Sequence, residues 1–335
     1  MSNARNLANL LGTDTQVQTA DIADGAFQAN KNLITNGAMQ VYQRGSQAGI
    51  RNSYAVDRFK AGGVGSQLFT YSQSTTVPSG EGFSYSAKLD VTTADTSVAA
   101  GDYQVLRYIF EGQDLQHLKY GTSDAQSLTL QFWVRSPKTG THIVELEHTD
   151  ANYQNSQSYT IATADTWQKV TLTFDGYQTT SITNDNTDGF KINWWLMAGS
   201  DFSSGTLSSN TWQNTTANRA VGQVNVADST SNEFYITGVQ LELGEQATPF
   251  EHRSFGDELA RCQRYYHILN TFLDGLDNDG HGRAFAQFPC QMRVAPTVSI
   301  NGTYTAAQGY ISGFNAYKLN GYVTINTSTT FDAEL

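Results

Sequence analysis

The sequence predicts an all-β protein: a jelly-roll β-sandwich with a short N-terminal arm, one connecting helix and a small C-terminal β domain. Three observations predict it. Charged residues make up only 15% of the 335-residue chain, and Gly, Ser, Thr, Asn and Gln, with 17 Tyr and 17 Phe, take their place. β-branched and aromatic side chains of this kind suit a half-buried pleated surface better than a helix. From Asn32 to Arg253 apolar residues recur with period two, and turn signals such as PSGEG, AAGD, PKTGT and TDGF separate the runs. Many short alternating strands over more than 200 residues fit two stacked sheets.

Residues 1–30 form the predicted arm. ARNLANLL can make two helical turns with Leu7, Leu10 and Leu11 on one side, too short to be stable alone. The polar stretch after it is weakly patterned, which suits a leader that orders on a partner surface. Residues 31–253 form the predicted sandwich. NLITNGAMQVYQRG enters it with turns at TNG and QRG, and Asp57–Arg58 in VDRF predicts a local ion pair that pins the entry to the sheet. LTLQFWVRS places Leu128, Leu130, Phe132 and Val134 on one face and Thr129, Gln131, Trp133 and Arg135 on the other. In SYSAKLDV, Tyr85, Ala87, Leu89 and Val91 face inward, as do Val170, Leu172 and Phe174 in WQKVTLTFDG. NEFYITGVQLELG offers Phe234 and Ile236, then shifts by one residue at Gly238 to Val239, Leu241 and Leu243, which predicts a bulge. Residues 254–335 form the predicted C-terminal part. Ser254 with Asp257 reads as a capping box, and Leu259, Cys262, Tyr266 and Leu269 extend a helix over about 257–270. Short strands follow.

Composition also excludes. With 20 basic and 31 acidic residues the net charge is −11, the wrong sign for holding a nucleic-acid backbone or an anionic membrane surface. The longest apolar runs, such as INWWLMAG, are too short to span a bilayer. The first twenty residues carry one Arg and no apolar core, so no secretory signal is expected. Cys262 and Cys290 stand far apart and are expected as free thiols in a cytosolic assembly environment.

An ordered set of motifs carries a resemblance: NLITNGAMQVYQRG, YAVDRF, LTLQFWVRSPKTGTH, TADTWQKVTLTFDG, FYITGVQLELGEQATPFEHRSFGDELARCQRYY, FPCQMRVAPTVSI and the terminal DAEL. From Asn32 onward the chain resembles the tail-fibre and receptor-binding proteins of tailed bacteriophages, with a carbohydrate-binding-module-like jelly roll. The resemblance implies a virion protein assembled in the host cytoplasm, a homotrimer, without enzymatic activity. Its residues 1–30 would attach it to other virion proteins, and its partner outside would be host surface polysaccharide or lipopolysaccharide. A head-decoration protein without a receptor is the alternative, and a glycan depolymerase the weaker one. The same analogy offers Asn36, Gln240 and Glu242 as structural calcium ligands; otherwise no cofactor or metal is expected.

No G-x-S-x-G elbow, H-E-x-x-H, P-loop or dinucleotide fingerprint occurs. His142 and His148, flanking IVELE, are expected at exposed positions, and Glu145 and Glu147 on a solvated strand face rather than as a glycosidase pair. Asp274, Asp277 and Asp279 in DGLDNDGHGR miss the calcium-loop spacing and are expected in a turn. Sugar rings need an aromatic face with planar polar groups beside it. Trp133 with Gln131 and Arg135, Trp195 of the adjacent pair Trp194–Trp195, and Tyr108 with Glu111 supply that inventory and are the glycan-binding candidates.

Overall fold

The computed structural model describes residues 31–269, 273–275, 282–299, 302–303, 306–318, 323–325 and 329–335. Leu7, Leu10, Leu11, Asp277 and Asp279 lie outside them.

Two antiparallel sheets make the jelly-roll sandwich. The first has the order β1-β4-β5-β13-β7-β10, built from Gln47–Ile50, Leu68–Ser74, Ser86–Thr93, Glu233–Leu243, Leu128–Arg135 and Gln168–Phe174. The second has the order β12-β9-β8-β11-β6-β3-β2, built from Trp212–Gln213, Tyr153–Ile161, Gly140–His148, Asp188–Ala198, Tyr103–Glu111, Phe59–Val64 and Ser53–Tyr54. The inward rows of the two sheets meet in one core. Leu128, Leu130, Phe132 and Val134 of β7 are fully buried there with Phe234, Ile236 and Leu241 of β13 and Trp194 of β11. Burying side chains of this size stabilises the fold by roughly 1.5–3 kcal/mol each.

The bulge in β13 is present. Its pairing with β7 shifts between Thr237 and Gln240, and Gly238 takes φ +61°. The backbone groups that the bulge withdraws from the sheet are taken up by the entry stretch. Val239 donates to the Gly37 carbonyl at 2.9 Å, and the Asn32 side chain donates to the Val239 carbonyl at 3.1 Å. Gly37 is required there, since a Cβ would lie 2.1 Å from the Val239 oxygen. So the entry stretch repairs the sheet at its irregular strand.

The helix is shorter than its periodicity predicts. It covers Phe255–Gln263, capped by the Ser254 hydroxyl accepting from the Asp257 amide, and Tyr266–Leu269 is a strand rather than its last turn. Two cation–aromatic contacts favour the break. The Arg58 guanidinium lies 3.3 Å from the Tyr265 ring centre, and the Arg44 guanidinium 3.5 Å from that of Tyr266. The remaining strands form three small three-stranded sheets, with Met292, Phe314 and Phe331 in a core of their own.

Asp57 and Arg58 do not pair with each other. Asp57 faces Arg44 at 3.6 Å, whereas Arg58 meets Glu334 near the end of the chain. Both sit in the turn before Phe59–Val64, with Arg58 at φ +72°, and the turn sends the two side chains to different partners. Both cysteines are free, Cys262 buried and Cys290 half-buried.

Candidate functional site

A groove of about 560 Å³ crosses the outer face of the first sheet. Its floor follows from the outward positions of β7, the edge strand β10 and the bulge of β13. Trp133 stands opposite Lys169 on one side and Thr237 on the other. Beyond Thr237, Gly238 leaves the room in which Phe83 and Trp133 approach the backbone. A Cβ at Gly238 would lie 2.6 Å from Phe83 Cζ and 3.0 Å from Trp133 Cδ1.

The segment after β13 folds back to make the far wall. The Glu242 carboxylate accepts from the Thr248 amide at 2.8 Å and the Thr248 hydroxyl at 2.6 Å, and the Gln131 amide donates to the Thr248 carbonyl at 2.6 Å. The Gln240 side-chain carbonyl accepts from the Glu251 amide at 2.8 Å. Held this way, the segment sets Phe250 and His252 against Phe83: ring centres are 5.0 Å apart for Phe83–Phe250, 4.8 Å for Phe250–His252 and 5.4 Å for Phe83–His252. Glu81 lies at this end, beside Gly82, whose Cβ position is 3.3 Å from His252 Nε2. The result is an aromatic trough with a cation at one end and a carboxylate at the other.

Of the sequence-derived candidates, Trp133 and Gln131 line this groove. Arg135 does not; it pairs with Asp165 at 2.9 Å and lies over Tyr235. Trp195 faces outward from the second sheet, as alternation requires. It is nevertheless buried with Val105, Ile143 and Ala220 beneath the segment that carries Phe202 and Leu207. Tyr108 is a core residue whose hydroxyl accepts from the Thr35 amide at 2.9 Å. Glu111 is fully buried and bound twice by Arg264, at 2.9 and 2.7 Å. These last two line a separate cavity of about 230 Å³ with Arg58, Asp114, Arg261 and Tyr265, where burial and the neighbouring Glu111 charge raise the Asp114 carboxyl. None of Arg135, Trp195, Tyr108 or Glu111 reaches the groove.

Of the calcium candidates, Gln240 and Glu242 meet through a hydrogen bond of 3.0 Å, but Asn36 does not join them. Asn36 spends its side chain on Val41 and on the Asp57 carbonyl, while Gln240 and Glu242 serve the Thr248 segment. Among the described residues no group of three or more His, Cys, Asp or Glu could hold a metal ion.

His142 and His148 are buried, not exposed. Each donates from Nε2 to a backbone carbonyl, of Lys138 at 3.1 Å and of Thr180 at 3.0 Å. Glu145 and Glu147 are on the outward face of β8, yet Arg219 reaches over them. It bonds Glu145 through Nε at 2.9 Å and Glu147 at 2.9 Å, and Asn193 adds contacts at 2.8 and 2.9 Å. Burial raises the Glu147 carboxyl, but Arg219 and Lys191 overcome it and hold the group at about 2. A general acid for glycoside cleavage needs the opposite shift.

Sequence reasoning missed Phe83, Phe250, His252, Glu81 and Lys169 as groove residues. Their signals were present, in the PSGEGF turn, the TPFEH segment and the position of Lys169 across from Trp133. Only the fold shows that the turn and the segment converge.

No family model and no curated protein sequence matches the chain. Solved structures do. The enzymatically active domain of tailspike protein 4 of bacteriophage CBA120 is 15% identical, with a TM-score of 0.36, over 64% of this chain and 22% of that one. The family 11 carbohydrate-binding module of Clostridium thermocellum Lic26A-Cel5E is 10% identical, with a TM-score of 0.30, over 61% of this chain and 97% of that one. TmCBM61 in complex with β-1,4-galactotriose is 10% identical, with a TM-score of 0.32, over 64% of this chain and 99% of that one. Scores this low carry no inference about what this chain binds.

Proposed function

We propose that the chain binds glycans without transforming them, through the groove over Trp133. One observation carries the reading: a half-buried indole and the Phe83–Phe250–His252 cluster flank a polar wall, on a face fixed by strand pairing. Pyranose rings present apolar C–H faces that such rings cover, and hydroxyls that amide and carboxylate groups accept or donate to. Sites of this kind are concave and mostly apolar, with a few placed polar groups. Bond cleavage would need two poised carboxyl groups. Glu81 is the exposed carboxylate of the groove, and Glu242 at its wall is committed to Thr248.

The resemblance of the ordered motifs to phage tail-fibre proteins extends the proposal. In it, residues 1–30 attach the chain to other virion proteins, residues 31–253 carry the groove, and residues 254–335 form an appended C-terminal domain. A homotrimer on the particle would present three grooves to host polysaccharide or lipopolysaccharide, so that weak single contacts sum to avidity. The test is retention on a glycan array. Wild-type protein is expected to retain a subset of glycans, and Trp133→Ala to lose at least about ten-fold in affinity for them, the equivalent of one anchoring side chain. Equal retention by the variant would overturn the groove as the site. Deletion of residues 1–30 is expected to leave a folded protein that no longer enters particles, and normal incorporation would remove the arm's role.

A further inference from the structure

We infer that the groove selects an acidic glycan and fixes its direction, with the ligand's carboxylate against Lys169 beside Trp133. The inference rests on the glycan-binding reading and adds the charge and orientation of the ligand.

Strand pairing sets the order of groups. Lys169 on β10 is the direct cross-strand neighbour of Trp133 on β7, so their Cβ atoms lie roughly 5 Å apart on the same face. On the other side of Trp133 come Gly238 and Phe83, then the His252 ring, then Glu81 beside Gly82. Cation, indole, phenyl, imidazole and carboxylate follow one another across the sheet. The two ends of the groove therefore differ in sign.

Lys169 is also uncommitted. Other basic side chains of the sandwich are already paired: Lys88 with Glu233, Arg135 with Asp165, Lys138 with Asp228, and Lys191 with Asp188. Lys169 is exposed and makes no ion pair among the described residues. The chain as a whole carries −11 and repels polyanions. A carboxylated sugar can then settle only where the local field is reversed, and at Lys169 it finds a counter-ion next to a stacking face. The opposite end rejects a second carboxylate, because Glu81 is there, and accepts hydroxyl donors instead. A uronic acid at the Trp133 end followed by neutral rings toward His252 satisfies both ends.

The experiment uses the full chain and matched oligosaccharide pairs on an array, each a uronate-containing glycan and its carboxyl-reduced counterpart. For the glycans retained, the acidic member is expected to bind about five-fold better than the reduced one at low salt, as one partly exposed ion pair supplies, and the preference should shrink as salt is raised. Lys169→Gln is expected to bring the ratio to one. Lys119→Gln, an exposed lysine outside the groove, should leave it unchanged. A ratio of one in the wild type, or a preference that survives Lys169→Gln, overturns the acidic inference. The groove reading then still stands if Trp133→Ala abolishes retention. Retention untouched by Trp133→Ala, or no retention of any glycan, overturns both.

Discussion

Gly238 shows how much of the groove depends on one backbone position. Its φ of +61° is a left-handed conformation that costs a side-chain-bearing residue roughly 1–2 kcal/mol. Its missing Cβ is also what admits Phe83 and Trp133, both within 3.0 Å of where that atom would sit. Gly238→Ala should therefore do two things at once: lower the urea midpoint and displace Phe83 from the trough, with loss of glycan retention. Gly45 separates the two effects. It has φ +69° with nothing within 4 Å of a Cβ, so Gly45→Ala should show the strain alone and keep retention. Retention surviving Gly238→Ala would mean that Phe83 does not shape the site.

At the scale of the element, β8 carries the chemistry that sequence patterning half revealed. Alternation puts His142, Val144, Leu146 and His148 on one face, and the apolar pair between the histidines marks it as the core face. The alternation was legible, but polar side chains are expected outside, which places both histidines there rather than in the core that holds them. What alternation cannot show is a cover from elsewhere: Glu145 and Glu147 do point away from the core, but Arg219, some seventy residues on, closes over them. Trp195 is buried by the same covering segment, for the same reason. The burial of His142 has a measurable consequence. Desolvation holds its imidazole down at about 4, so between pH 6.5 and 4 the unfolded chain takes a proton that the native state refuses. Stability is lost as pH falls through that window, by about 3 kcal/mol in all. Asp57 has the opposite sign. Burial, only partly offset by Arg44, pushes its carboxyl up to about 6. Between its unfolded value near 4 and pH 6 the native state keeps a proton that the unfolded chain has released, so stability falls as pH rises. The two effects are similar in size and nearly cancel between pH 4 and 6. Relative to the wild type across that interval, urea midpoints of Asp57→Asn should climb with pH and those of His142→Gln should fall. Parallel profiles for all three proteins would show that neither group is linked to folding. Glu147 acts lower down. Its pairing is fully present above about pH 4.5 and is lost as pH falls toward 2.

For the whole molecule, the entry stretch proves to be the seat of the chain's other end. Arg58 is buried between the rings of Tyr265 and Tyr108, donates to the Ile109 carbonyl at 2.6 Å and meets Glu334. Arg44 faces Glu334 at 3.3 Å and Asp332 at 3.5 Å, and the Tyr54 hydroxyl donates to the Leu335 carbonyl at 2.9 Å. The sandwich and its period-two strands were legible in the sequence because burial on one face leaves a local imprint. This seat was not, because a pairing across nearly the whole chain leaves none, and the neighbouring Asp57 offered Arg58 a plausible local partner. Its energetic role follows from burial. Removing one member of a buried ion pair strands the other and costs about 3–5 kcal/mol, more than exposed pairs contribute. Because that cost falls on the contact between the sandwich and the C-terminal strands, Arg58→Met should release those strands before the sandwich melts. The expected result is two calorimetric transitions where the wild type has one, the upper belonging to the sandwich. Glu334→Gln should give the same split. The double variant Arg58→Met with Glu334→Met strands neither member of the pair and leaves Arg44 facing Asp57 and Asp332, so it should recover part of the loss. A single transition in both single variants, at the wild-type temperature, would show that Arg58 and Glu334 do not hold the two parts together.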